Sequence, residues 1–96
     1  MSKPATRIGD DDIPHCSGMV RAEGVETVLV NGIPWSCVSH LNTTHLKPGG
    51  DDCFNHTAPI SAGSKTVIVG GLCAGRIGDP TCTSVAEGSP NVYAGD

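Results

Sequence analysis

One phrase recurs along the chain and limits what it can fold into. It is clearest as Gly63-Ser-Lys-Thr-Val-Ile-Val-Gly-Gly-Leu-Cys-Ala-Gly-Arg-Ile-Gly-Asp79. It reads as a small turn, a short β-branched strand, a Gly-Gly turn, a second strand and a Gly-Asp corner. It occurs earlier as Gly24-Val-Glu-Thr-Val-Leu-Val-Asn-Gly-Ile-Pro-Trp-Ser-Cys-Val-Ser-His40. Its first half returns as Gly88-Ser-Pro-Asn-Val-Tyr-Ala-Gly95, and its second half opens the chain as Pro4-Ala-Thr-Arg-Ile-Gly-Asp10. Two whole units and two half units make three copies of one β-hairpin. A repeat of this kind outranks any single-residue signal.

The repeat predicts a small all-β body with pseudo-threefold symmetry, built of short strands and hairpins. Asn31-Gly32 is a strong hairpin turn signal. Residues 4–10, 19–22 and 85–87 read as further strands. Residues 41–57 read as the longest irregular stretch, which lengthens the interval between Gly24 and Gly63. Thirteen Gly and seven Pro favour turns over long helices, and no window keeps a 3.6-residue apolar period. The whole of 1–96 is expected to be a single domain. With Phe54, Trp35 and Tyr93 as its aromatics, such a domain buries little. A metal, disulfides or a partner surface must supplement the core.

Charge narrows the function. The net charge is −4, with no basic stripe, so nucleic-acid binding has no electrostatic support. The N-terminus lacks an apolar signal region, and synthesis in the cytosol without a signal peptide is expected. Five cysteines in that setting read as thiols or metal ligands rather than a disulfide framework. Asp10, Asp11 and Asp12 read as a solvated turn.

His and Cys collect in the loops that follow the repeat corners. Gly9-Asp10 is followed by His15, Ser39-His40 by His45, and Gly78-Asp79 by Cys82. Corners related by the repeat would bring these three side chains to one point. The fourth position stays open among His56, Cys53 and, more remotely, Cys16. Three imidazoles and one thiolate make a closed structural zinc site, with no position left for a reacting water. Cys37 and Cys73 lie inside hairpins, where cysteine serves as a small apolar residue. No nucleophile elbow, P-loop or His-Glu-x-x-His is present, so no catalytic residue is assigned. A zinc hydrolase would need an open ligand position and a base such as Glu23.

The phrases at 4–10, 30–40 and 69–79, with the Gly-Ser-x-x-Val strands at 63–67 and 88–92, resemble the PAAR-repeat family over about residues 4–95. No copy spells Pro-Ala-Ala-Arg in full, and the middle corner is Ser39-His40 where the family has Gly-Asp. The resemblance implies a small conical β-structure that caps the spike of a contractile tail, in a type VI secretion system or a phage. It implies one monomer on a trimeric β-helical spike protein, transient contact with a target-cell membrane, and an apical zinc ion. Carried over by position, the zinc ligands are His15, His45, His56 and Cys82, and His40 falls on the family's Asp. The alternatives are an adaptor coupling effector cargo to the spike and, less favoured, a zinc-dependent hydrolase. The lack of any extension suits either setting, with a lean to a phage-type tail because the chain is minimal. The protein is expected at the tip of a phage tail or secreted with the secretion-system spike.

Overall fold

A computed structural model describes residues 2–96. Among the described residues there is no helix, and the strands form four two-stranded antiparallel sheets. Three of these sheets are the expected repeats. Strand β1 (Lys3–Pro4) pairs with β8 (Tyr93–Ala94), so the two half units at the chain's ends complete one hairpin. Strands β2 (Val25–Val30) and β3 (Ile33–Trp35) form the second, and β6 (Ile68–Val69) and β7 (Leu72–Cys73) the third. The two continuous hairpins turn through paired left-handed residues, Asn31 and Gly32 at φ 55° and 79°, and Gly70 and Gly71 at 57° and 83°. That is the conformation for which Asn-Gly and Gly-Gly are selected.

The three repeats meet in a closed ring of backbone hydrogen bonds. Ser36 N donates to Thr6 O at 3.0 Å, Thr6 N to Gly75 O at 3.1 Å, and Gly75 N to Ser36 O at 3.2 Å. These are equivalent positions of the three copies, so the ring encircles the pseudo-threefold axis. A Cβ on Gly75 would come within 2.3 Å of Ser36 O, which explains a glycine on that ring. The molecule measures 40 × 24 × 24 Å, and its two equal short axes match threefold packing about the long one.

The core follows the same symmetry but cannot obey it fully. Ala5, Trp35 and Ala74 are equivalent, as are Val30, Val69 and Ala94, and all are buried together with Cys37. One indole and two methyl groups fill a space near the axis where three indoles would collide. The Trp35 Nε1–H also donates to Gly75 O at 2.9 Å, satisfying the polar end of the buried ring.

The corners are also equivalent, including the one that departs in sequence. Gly9, Ser39 and Gly78 have φ of 90°, 78° and 87°. Asp10, His40 and Asp79 donate their N–H groups to the carbonyls of Arg7, Cys37 and Arg76 at 3.0, 3.0 and 3.1 Å. In return, Asp10 and Asp79 accept the Arg7 and Arg76 N–H through Oδ2, both at 2.8 Å. His40 accepts the Cys37 N–H through Nδ1 at 2.9 Å. An imidazole nitrogen thus replaces a carboxylate oxygen in the same turn. Burial holds the His40 pKa below its usual value, and nearby Arg21 lowers it further against the opposing effect of Glu23. The neutral ring keeps the Nδ1 lone pair that the turn requires.

Several sequence expectations are corrected. Residues 41–57 are not irregular: β4 (His45–Gly49) and β5 (Asp52–His56) form the longest-paired hairpin, turning at Gly50 with φ 68°. Residues 4–10, 19–22 and 85–87 form only short pairings, among them the isolated bridges Ala5 to Arg76, Asp11 to Val20 and Asp12 to Val85. The Asp10–Asp12 turn is not uniformly solvated. Asp10 is locked by the Arg7 guanidinium, and Asp12 is buried against Arg21 at 2.6 Å.

Candidate metal centre

Antiparallel register builds half of the centre. His45 begins β4 and His56 ends β5, and the two are direct cross-strand partners. Their rings lie 4.3 Å apart, nearly edge to face. His15 stacks on His45 with centroids 5.3 Å apart, and Cys82 arrives from the loop after the Asp79 corner. The ligand atoms of His15, His45, His56 and Cys82 all lie within 4.8 Å of one another. Tetrahedral zinc with Zn–N and Zn–S bonds near 2.0–2.3 Å separates its ligands by about 3.3–3.7 Å. The Cys82 Sγ to His45 Nε2 distance, 3.4 Å, already falls in that range.

The protonation pattern fits a cation. His45 Nδ1 is 2.8 Å from Thr43 O, so that nitrogen carries the proton and Nε2 presents its lone pair to the cluster. The Nε2 atoms of His15 and His56 are buried without a hydrogen-bond partner. Orphaned buried nitrogens are costly unless something satisfies them. Partial desolvation, with the charges of His45, Lys47 and His15, lowers the His56 pKa. Three imidazole nitrogens and a sulfur facing one point form a set that a zinc-like cation fits.

The thiol expectation fails at two cysteines. Cys16 and Cys53 form a disulfide with Cα atoms 6.2 Å apart. Pairing in β4 and β5 sets Cys53 opposite Pro48, while the loop carrying Cys16 runs beside β4, where Cys16 N donates to Leu46 O at 3.2 Å. Both sulfurs are consumed, so neither Cys53 nor Cys16 has a thiolate to offer, and it is His56 that lies in the cluster with His15, His45 and Cys82. The bond ties the residue beside His15 to the strand carrying His56. Cys37, Cys73 and Cys82 are free. Burial pushes the Cys37 thiol up to about 11, as suits a core residue. Glu23, the candidate base, is exposed and accepts the Leu41 N–H at 2.7 Å, so its carboxylate is engaged in holding a loop.

The family model of the PAAR motif matches residues 10–82, most of the chain and all four clustered side chains. The chain belongs to the PAAR-motif family. The PAAR motif implies a spike-tip role in contractile injection systems, and the structural character of PAAR proteins points away from catalysis. No curated protein matches the chain. The PAAR corners here are the three turns described above, one with Ser39-His40 in place of Gly-Asp.

Proposed function

We propose that this PAAR protein is the piercing tip of a contractile tail, one copy capping a trimeric β-helical spike, with its apex braced by zinc. The observation that carries the reading is a set of three apolar side chains at equivalent repeat positions. Leu29, Ile68 and Tyr93 are 56%, 57% and 54% exposed. Each lies one residue before the inward-facing Val30, Val69 or Ala94. Exposed large apolar groups repeated by symmetry suit an interface with a partner of the same symmetry. A single chain with three such contacts matches the end of a trimer.

The metal supports the same role. A narrow apex has room for few apolar residues, and a structural zinc site contributes on the order of 10–16 kcal/mol in small peptides at neutral pH. Four protein ligands leave no open position, so the ion braces rather than reacts. In this reading the chain is made in the cytosol, carried at the tip, and meets the target membrane only on firing.

The test uses the full chain and its cognate spike. Native mass spectrometry should give one tip per spike trimer, with one zinc in the tip. Ile68→Asp should weaken docking at least tenfold while zinc content stays the same. A 3:3 complex, or docking indifferent to Ile68→Asp, Leu29→Asp and Tyr93→Asp alike, would refute the interface. Folded protein that takes up no zinc would refute the brace.

A further inference from the structure

The Cys82 sulfur has one further neighbour. Asn42 is buried at 1% exposure, and its amide group is fully used. Oδ1 accepts the Ala58 N–H at 2.8 Å. Nδ2 donates to Asp12 Oδ2 at 3.0 Å and faces Cys82 Sγ at 3.6 Å. The amide has a single sensible orientation, because a backbone N–H can only donate and a carboxylate can only accept. The backbone is held as well, with Asn42 N donating to Ala58 O at 3.0 Å and Asn42 bridged to Arg21.

We propose that Asn42 is the outer-shell residue of the metal centre, whose Nδ2–H hydrogen-bonds the Cys82 sulfur and fixes it for the cation. This rests on the cluster being a metal site. A donated hydrogen bond stabilises a thiolate and limits the directions its sulfur can take. Asn42 also keeps Asp12 from disturbing that sulfur. The Asp12 carboxylate lies one amide away, and its charge would repel a thiolate. Arg21 answers that charge through Nη1 at 2.6 Å and is itself tied to the Ser36 hydroxyl at 3.2 Å. Ser36, Arg21, Asp12, Asn42 and Cys82 therefore run as one polar chain from the threefold ring to the metal ligand. Each member fixes the next. Thr43 O plays the matching part for His45.

The test is made on the whole protein loaded with cadmium-113. Scalar coupling should pass from the metal through Cys82 Sγ to an Asn42 side-chain amide proton. A purely structural asparagine gives none. Asn42→Leu should lose metal affinity by about 10–100-fold in chelator competition. The same substitution in a Cys82→His background, which has no sulfur, should cost less than about threefold. Bound cadmium without coupling to Asn42 overturns the proposal, whatever the fate of the variants. So does an equal affinity loss in both backgrounds. Wild-type protein that binds no metal would overturn the metal reading itself, a distinguishable result.

Discussion

Breaking the Cys16–Cys53 bond tests the region around the His/Cys cluster without touching any of its four side chains. The sulfurs close a loop with a sequence separation of 37 residues. For a loop of that size the chain-entropy relation gives about 4 kcal/mol at 25 °C, gained by restricting the unfolded chain. Unfolding entropy near 2.1 cal/mol/K per residue gives a chain of this length about 0.2 kcal/mol/K. Removing the bond should therefore lower Tm by about 20 °C. Cys16→Ser, Cys53→Ser and reduced wild type should melt together, because all three release the same loop. Zinc content should remain one per chain in each, since His15, His45, His56 and Cys82 stay in place. The assay is calorimetry in excess zinc, with thiols counted by alkylation under denaturing conditions. Oxidised protein should take up three labels, matching its free cysteines, and reduced protein all five. Variants melting within about 2 °C of oxidised wild type would refute the reasoning, as would five reactive thiols in the oxidised protein.

Other substitutions test the frame. Trp35→Ala should cost about 3–5 kcal/mol in urea unfolding, because Ala5 and Ala74 cannot close the space left near the axis. Ser39→Gly should stabilise by about 0.5–1 kcal/mol, since a Cβ at φ 78° is strained where the equivalent corners have glycine. His40 contributes to pH dependence with a definite sign. Its folded pKa is lowered, so the unfolded chain takes the proton first. The stability it provides is complete above about pH 6.5, the ordinary histidine value, and is lost as pH falls through its lower folded pKa. In metal-free melts from pH 8 to 5, His40→Asp should show a shallower acid decline than wild type, and equal slopes would exclude His40 as a contributor.

The repeat made most of the fold legible, because three copies of one phrase state the turns, the strands and their equivalence at once. The split hairpin of β1 and β8 is readable for that reason despite the distance between its halves. The β4–β5 hairpin was not. Its strand residues include Lys47, Pro48, Asp52 and Asn55, which are poor strand formers. Its pairing is supported by the loop at Cys16 and Ser17 rather than by an apolar face. The disulfide escaped for the same reason, since compartment arguments weigh cysteines by count, whereas the register of β4 and β5 decides which sulfur meets which. Three of the four clustered side chains, His15, His45 and Cys82, were legible because the corners repeat. The choice of His56 over Cys53 came from the family resemblance; in the structure His56 lies in the cluster while Cys53 is bonded to Cys16. Asp12 was misread, because its buried partner Arg21 lies beyond an intervening loop and nothing local marks the pair.

The ring at Thr6, Ser36 and Gly75 closes a threefold arrangement inside one polypeptide, and that changes how the molecule can vary. In a homotrimer, any substitution near the axis appears three times, and a site there holds ligands in multiples of three. Here each copy is encoded separately. One can carry an indole where its sisters carry methyl groups. Another can exchange aspartate for histidine at a corner, and a lone cysteine can join three histidines. Every position near the axis can mutate alone, so the three copies are free to specialise while the backbone keeps the symmetry that a trimeric partner would read.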